Sequence, residues 1–181
     1  QHKKILKERI MYNEILDIYD QKKILIFLGA NRNSVYNVPI SCLNILLKNF
    51  FYDKYEFVVT DNDKEIIQYL RKNNLKFAKK DKINQIFNST NNNQYDWLLN
   101  LWGHSIFPKS FLKKFKYNLN IHPSYLPFGK GKDSSLWTVI NNSPAGTSLH
   151  KMTNKIDGGP IFAQKRFKFS FPTTGLYIYN K

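Results

Sequence analysis

Short apolar runs alternate with helix-patterned segments along most of this chain, and that alternation constrains the fold more than any other feature of the sequence. KILIFLG, ending at Gly29, holds an unbroken apolar run at residues 24–28. The run is too short for a helix and is closed by a glycine, the pattern of a strand buried on both faces. EFVVTD (56–61) and YDWLLNLWG (95–103) repeat the pattern, with LKFAKK as a shorter strand between them. Pro39 precedes SCLNILLKNFF, whose periodicity and leading proline predict a helix. DKEIIQYLRKNN predicts a second, with Asp63 as N-cap and Ile66, Ile67 and Leu70 on one face. DKINQIFNST, PKSFLKKFK from Pro108, and residues 137–141 predict three short helices. YNLNIHPSYLP (117–127) is strand-like up to a proline-bounded turn, and TSLHKM and PIFAQKRFKF then arrive as two consecutive strands. This order predicts an α/β fold: a mostly parallel sheet with helices on both faces and an antiparallel late addition. In such sheets the ligand crevice lies beyond the carboxyl ends of the strands. Residues 1–22 carry a charged helical pattern and form a lead-in; a chain opening on Gln1 reads as a trimmed start.

At 181 residues the chain has the size of one domain. Its apolar runs fall far short of the ~20 residues of a membrane helix, and no signal-peptide core follows the basic N-terminus. A cytoplasmic domain with no membrane partner is the expectation. A single cysteine, Cys42, excludes an internal disulfide framework and a multi-cysteine zinc module. The net charge of +15 invites a nucleic-acid reading, but of the 28 basic residues only Arg9, Arg32, Arg71 and Arg166 are arginine. Specific clamping of bases and phosphates favours the planar arginine fork. The Lys- and Asn-rich composition reads instead as a genome-wide bias, which leaves non-specific attraction to polyanions at low salt.

Several familiar motifs are absent. GANRNS after the first strand has one glycine where a dinucleotide fingerprint needs three, so no nicotinamide cofactor is expected. That loop either presents Asn31, Arg32 and Asn33 to a substrate phosphate at the next helix start or is an ordinary turn. GKGKDSS lacks phosphate-loop spacing because Lys132 is followed by Asp133. It is a basic loop that closes over an anionic substrate, or a solvated turn. His2, His104, His122 and His150 show no metal-ligand spacing, so no metal is expected. No G-x-S-x-G elbow surrounds any serine.

One constellation remains. After Asp96 the chain holds only two acidic residues, Asp133 and Asp157, and Asp157 lies in KIDGGP between an apolar residue and two glycines. Glycines there suit a tight turn under a fixed carboxylate, although Asp-Gly-Gly alone is more often a plain turn. On the strand 117–127, Asn120 and His122 are spaced i and i+2 and share a face, and Pro123 ends the strand just beyond them. A polar pair on a core strand is either satisfied internally or functional, since burial without partners costs ~1–3 kcal/mol per group.

NIHPSYLP, then GTSLH, then IDGGPIFAQ, in this order and spacing, resembles the folate-dependent formyltransferases. These include glycinamide ribonucleotide transformylase, the catalytic domain of methionyl-tRNA formyltransferase, and the nucleotide-sugar N-formyltransferases. The resemblance implies a Rossmann-like catalytic domain over residues 23–181, preceded by the 1–22 lead-in, in a family whose complete members are longer. It implies formyl transfer from 10-formyltetrahydrofolate to a primary amine, with no metal. Asn120, His122 and Asp157 match the catalytic trio: Asn120 donating to the oxyanion, a protonated His122 helping to hold it, and Asp157 stabilising that imidazolium and accepting or relaying the amine proton. His104, Ser105 and Ile106, with Asn154, Lys155 and Ile156, match a donor pocket lined largely by backbone. His150 matches a supporting position near the site, and Trp102 and Trp137 read as core.

For the acceptor, HPSYLP, the Gly131–Lys132–Trp137 spacing and Ser143-Pro144-Ala145-Gly146 look most like the sugar enzymes, favouring a nucleotide-linked amino sugar. Glycinamide ribonucleotide comes next, on the DGGPI wording and the single-domain length, and then methionyl-tRNA. Outside catalysis, an inactive binding module of the same fold or a Lys-rich nucleic-acid binder stays open, as does a homodimer.

Overall fold

The structure, a computed structural model, describes residues 23–29, 38–49, 55–60, 63–79, 95–103 and 105–181. The expected helices at 1–22 and 81–90, the 30–37 loop with Asn31, Arg32 and Asn33, and His104 lie outside the described residues. The described strands form one sheet: β1 (Lys23–Leu28), β2 (Tyr55–Val59), β3 (Phe77–Lys79), β4 (Tyr95–Leu101), β5 (Tyr117–His122), β6 (Ala145–Lys151) and β7 (Ile161–Phe167). Their spatial order is β3-β2-β1-β4-β5-β6-β7. The pairs among β1 to β5 are parallel, whereas β5–β6 and β6–β7 are antiparallel, as the strand order in the sequence predicts.

Alternation along β1 explains why both faces are covered. Ile24, Ile26 and Leu28 point to one side, where they pack with Leu43 of α1 (Val38–Asn49) and with Ile66 and Leu70 of α2 (Lys64–Lys72). Leu25 and Phe27 point to the other, against Phe111 and Leu112 of α3 (Lys109–Leu112) and Phe115. Asp63 caps α2, its side chain accepting from the backbone N–H groups of Glu65 and Ile66 at 2.9 and 3.1 Å.

Three expectations need correcting. Residues 108–116 form a single helical turn rather than a nine-residue helix, because the apolar Phe111, Leu112 and Phe115 suffice to plug that face. Helix α4 (Ser134–Ile140) begins three residues early, after Asp133 turns the chain at φ +55°. Trp137, read as core, lies on that helix 48% exposed. A final helix, α5 (Gly175–Asn180), capped by the Thr174 hydroxyl, was not anticipated. Among the described residues no helix is long and apolar enough to cross a membrane.

Candidate active site

The site grows from the register of three neighbouring strands. Asn120 of β5 is the parallel partner of Asn100 on β4 and the antiparallel partner of His150 on β6, so three polar side chains meet across the sheet. Asn100 Nδ2 donates to Asn120 Oδ1 at 2.8 Å, and Asn120 Nδ2 lies 3.1 Å from His150 Nε2. His150 Nδ1 lies 3.0 Å from the Lys151 carbonyl. Two residues on, His122 ends β5 with Nε2 2.8 Å from the Gly129 carbonyl.

Asp157 closes the cluster from the turn between β6 and β7. Its Oδ2 accepts from the Gly131 N–H at 2.8 Å and lies 3.5 Å from His122 Nδ1, while Oδ1 lies 3.3 Å from His150 Nε2. Asp157 occupies the left-handed region at φ +45°, a conformation that non-glycine residues hold only when surroundings fix it. Gly131, at φ +79°, turns its N–H toward that carboxylate. The basic loop thereby becomes part of the site, with Lys130 and Lys132 exposed on either side of Gly131.

The turn after β5 is held from below. Ser148 accepts from the Leu126 N–H at 3.0 Å and donates to the Ser124 carbonyl at 2.6 Å. Gln164 of β7 donates to the Leu126 carbonyl at 2.7 Å and to the Ser148 hydroxyl at 2.9 Å. Ser124 in turn donates to the Phe128 carbonyl at 2.8 Å, so the chain carrying Gly129 to His122 is fixed at both ends.

Burial pushes the His122 imidazole below its ordinary value near 6.5, outweighing the Gly129 carbonyl and the Asp157 charge, which favour the cation. The resting ring is therefore neutral at pH 7. Burial works against ionisation of Asp157 too, but the His150 contact, the His122 ring and the Gly131 N–H together hold its carboxyl below the usual range. At neutral pH the pair is a carboxylate beside a neutral base.

The other expected residues divide. His150, expected in a supporting position near the site, is only 2% exposed and lies against the Asn120 amide. Ser105 and Ile106 follow β4, and Asn154, Lys155 and Ile156 precede Asp157. Ile106 and Ile156 are 81% and 62% exposed, and the buried Ser105 hydroxyl has no hydrogen-bond partner among the described residues. Trp102, at φ +65°, leads out of β4 with its indole N–H donating to the Tyr179 hydroxyl of α5. Among the described residues no group of His, Cys, Asp or Glu is arranged to hold a metal ion. Asn100 went unremarked in the sequence. Its signal was there: a lone asparagine inside the buried strand YDWLLNLWG, subject to the same argument as Asn120.

Residues 59–179 match the formyl transferase family. The chain belongs to that family. This formyl transferase is 33% identical over 88 residues to GDP-perosamine N-formyltransferase of Brucella melitensis, covering 48% of this chain and 34% of the relative. It is 40% identical over 78 residues to methionyl-tRNA formyltransferase of Borrelia recurrentis, covering 41% of this chain and 25% of that one. Its fold matches the Helicobacter canadensis N-formyltransferase, solved with folinic acid and dTDP-3-aminofucose. The TM-score is 0.68 at 26% identity, over 88% of this chain and 57% of that one. The chain thus spans about a third of the length of the curated sugar enzyme and just over half of the solved one.

Proposed function

We propose that this formyl transferase moves a formyl group from 10-formyltetrahydrofolate to the amine of a nucleotide-linked amino sugar. The observation that carries the reading is the convergence of Asn120, His122 and Asp157 at the carboxyl end of β5. It draws further support from the sugar N-formyltransferases among its relatives and from the folate and dTDP-sugar bound in the Helicobacter canadensis enzyme.

The residues matched to the donor pocket suit it: backbone at 105–106 and 154–156, exposed Ile106 and Ile156 for an apolar ring, and the Ser105 hydroxyl, without a partner among the described residues, for a polar edge. The donor supplies an activated formyl carbon; this chain supplies the proton and charge handling. Asn120 has a second Nδ2 hydrogen beyond the one directed at His150, and that hydrogen stabilises the oxygen on which negative charge develops. Losing one such donor costs ~2.7–4 kcal/mol in comparable sites. As the amine nitrogen bonds to the formyl carbon it must shed a proton, and the neutral His122 Nδ1 beside ionised Asp157 is the base placed to take it. The imidazolium so formed is stabilised by that carboxylate at 3.5 Å. Return of the proton to the departing folate nitrogen completes the transfer, help of a kind worth about 10²–10⁴ in rate. Lys130 and Lys132 give the acceptor side a positive rim suited to a diphosphate.

The match to the Borrelia recurrentis enzyme favours a second reading, in which the acceptor is methionyl-tRNA. Parallel assays with 10-formyltetrahydrofolate and a dTDP- or GDP-linked amino sugar, glycinamide ribonucleotide or methionyl-tRNA separate the acceptors. Preference for the sugar nucleotide in kcat/KM is the expected result; preference for either other acceptor overturns the assignment.

A further inference from the structure

We propose that Asn100 is a positioning residue that sets which end of the Asn120 carboxamide faces the reaction centre and, through it, which nitrogen of His150 carries the proton. Amide and imidazole orientations follow from the hydrogen-bond network in which they sit, and here the network is anchored at both ends by groups that can only accept. At one end Asn100 Nδ2 is 3.0 Å from the Gly103 carbonyl, which forces the amino group of Asn100 to that side. The same nitrogen reaches Asn120 at 2.8 Å, so the atom of Asn120 it meets must be oxygen. Asn120 then turns its amino group to His150, whose Nε2 must accept. The His150 proton is left on Nδ1, where the Lys151 carbonyl, the other anchor, accepts it.

Two further observations fit this polarity. Asn100 is 4% exposed, so water does not compete for its amide. Gly103 is the residue that permits the arrangement, since a Cβ there would come within 2.2 Å of Asn100 Oδ1. Asp157 Oδ1, itself an acceptor, also lies 3.3 Å from His150 Nε2, and this contact pulls toward a proton on that nitrogen. Against it stand the two carbonyl anchors, which direct the Asn120 amino group at Nε2 over the shorter distance of 3.1 Å.

The catalytic part of this inference rests on Asn120 being the oxyanion donor; the His150 tautomer does not, and it is read without turnover. In Asn100→Asp an acceptor replaces the donor, Asn120 turns over, and Nε2 must donate. The 15N shift of His150 Nε2 is expected to be that of an unprotonated nitrogen in the native protein and a protonated one in Asn100→Asp. A protonated Nε2 in the native protein, or no change in the variant, overturns the proposal whether or not any acceptor is formylated. On activity, Asn100→Asp is expected to lower kcat on the order of 10²-fold, the scale of a lost oxyanion donor, with KM nearly unchanged. Added to Asn120→Ala it is expected to cost nothing more. Multiplicative losses, or a native kcat in Asn100→Asp, overturn it. Should that variant not fold, Asn100→Leu, which removes the donor without adding charge, carries the same kcat expectation. Failure of the native protein to formylate any amine would instead sink the functional reading and leave the tautomer measurement to judge Asn100.

Discussion

Asp157 and His122 titrate in ways that make acid the enemy of this fold. Above about pH 6.5, the ordinary histidine value, native and unfolded imidazoles are both neutral. Below it the unfolded chain takes a proton that buried His122 refuses, so stability falls as pH drops from there toward the lowered native value. Asp157, held below the usual carboxylate range, adds a second loss as pH falls through its own native value. Urea unfolding midpoints measured from about pH 7.5 downward should therefore decline, and His122→Gln should decline less between about pH 6.5 and 5. A decline of equal size in the variant would contradict the assignment. On activity, Asn120→Ala, His122→Ala and Asp157→Ala should each lower kcat by at least about 10²-fold while far-UV circular dichroism stays native. Near-native turnover in any one of them removes that residue from the mechanism.

Elements outside the cluster decide whether its geometry survives. Ser148 is fully buried, and Ser148→Ala strips the Leu126 N–H of its acceptor and the Ser124 carbonyl of its donor. An unpaired buried group costs ~1–3 kcal/mol, so the melting temperature should drop, and kcat with it as the Gly129 carbonyl loosens from His122. Asp63→Ala is the contrasting case. It removes the α2 cap for about 1 kcal/mol, touches no member of the cluster among its hydrogen bonds, and should leave kcat unchanged. These two devices differ in how legible they are. The Asp63 cap is local in sequence and could be read there; the Ser148 pin joins residues more than twenty apart through a turn whose path only the folded chain reveals. The early start of α4 was hidden for a related reason, since nothing local marks Asp133 as adopting a left-handed conformation. Short α5 offered too few residues for periodicity to register.

At the scale of the whole molecule, the mostly parallel sheet and its antiparallel end were readable because buried strands and amphipathic helices write different periods into the chain, whereas the spatial order of the strands was not. The i, i+2 spacing of Asn120 and His122 likewise placed them together at one strand end. The meeting of Asn100, Asn120 and His150 was not readable, because it depends on the register between strands twenty and thirty residues apart. Nor could the neutral resting state of His122 be read, since it follows from burial. The charge of +15 acts on the molecule as a whole: binding to duplex DNA should weaken steeply and log-linearly with salt and show no sequence preference. Tight, sequence-selective binding at physiological salt would contradict the reading of the lysines as compositional. The central claim, that the Asn120–His122–Asp157 cluster formylates a sugar amine, is met most directly by transfer of label from [14C-formyl]-10-formyltetrahydrofolate to a dTDP- or GDP-linked amino sugar. The account predicts label recovered as the sugar formamide with the native protein and background with Asn120→Ala. Equal transfer by both proteins, or folate bound with no label reaching the sugar amine, would contradict it.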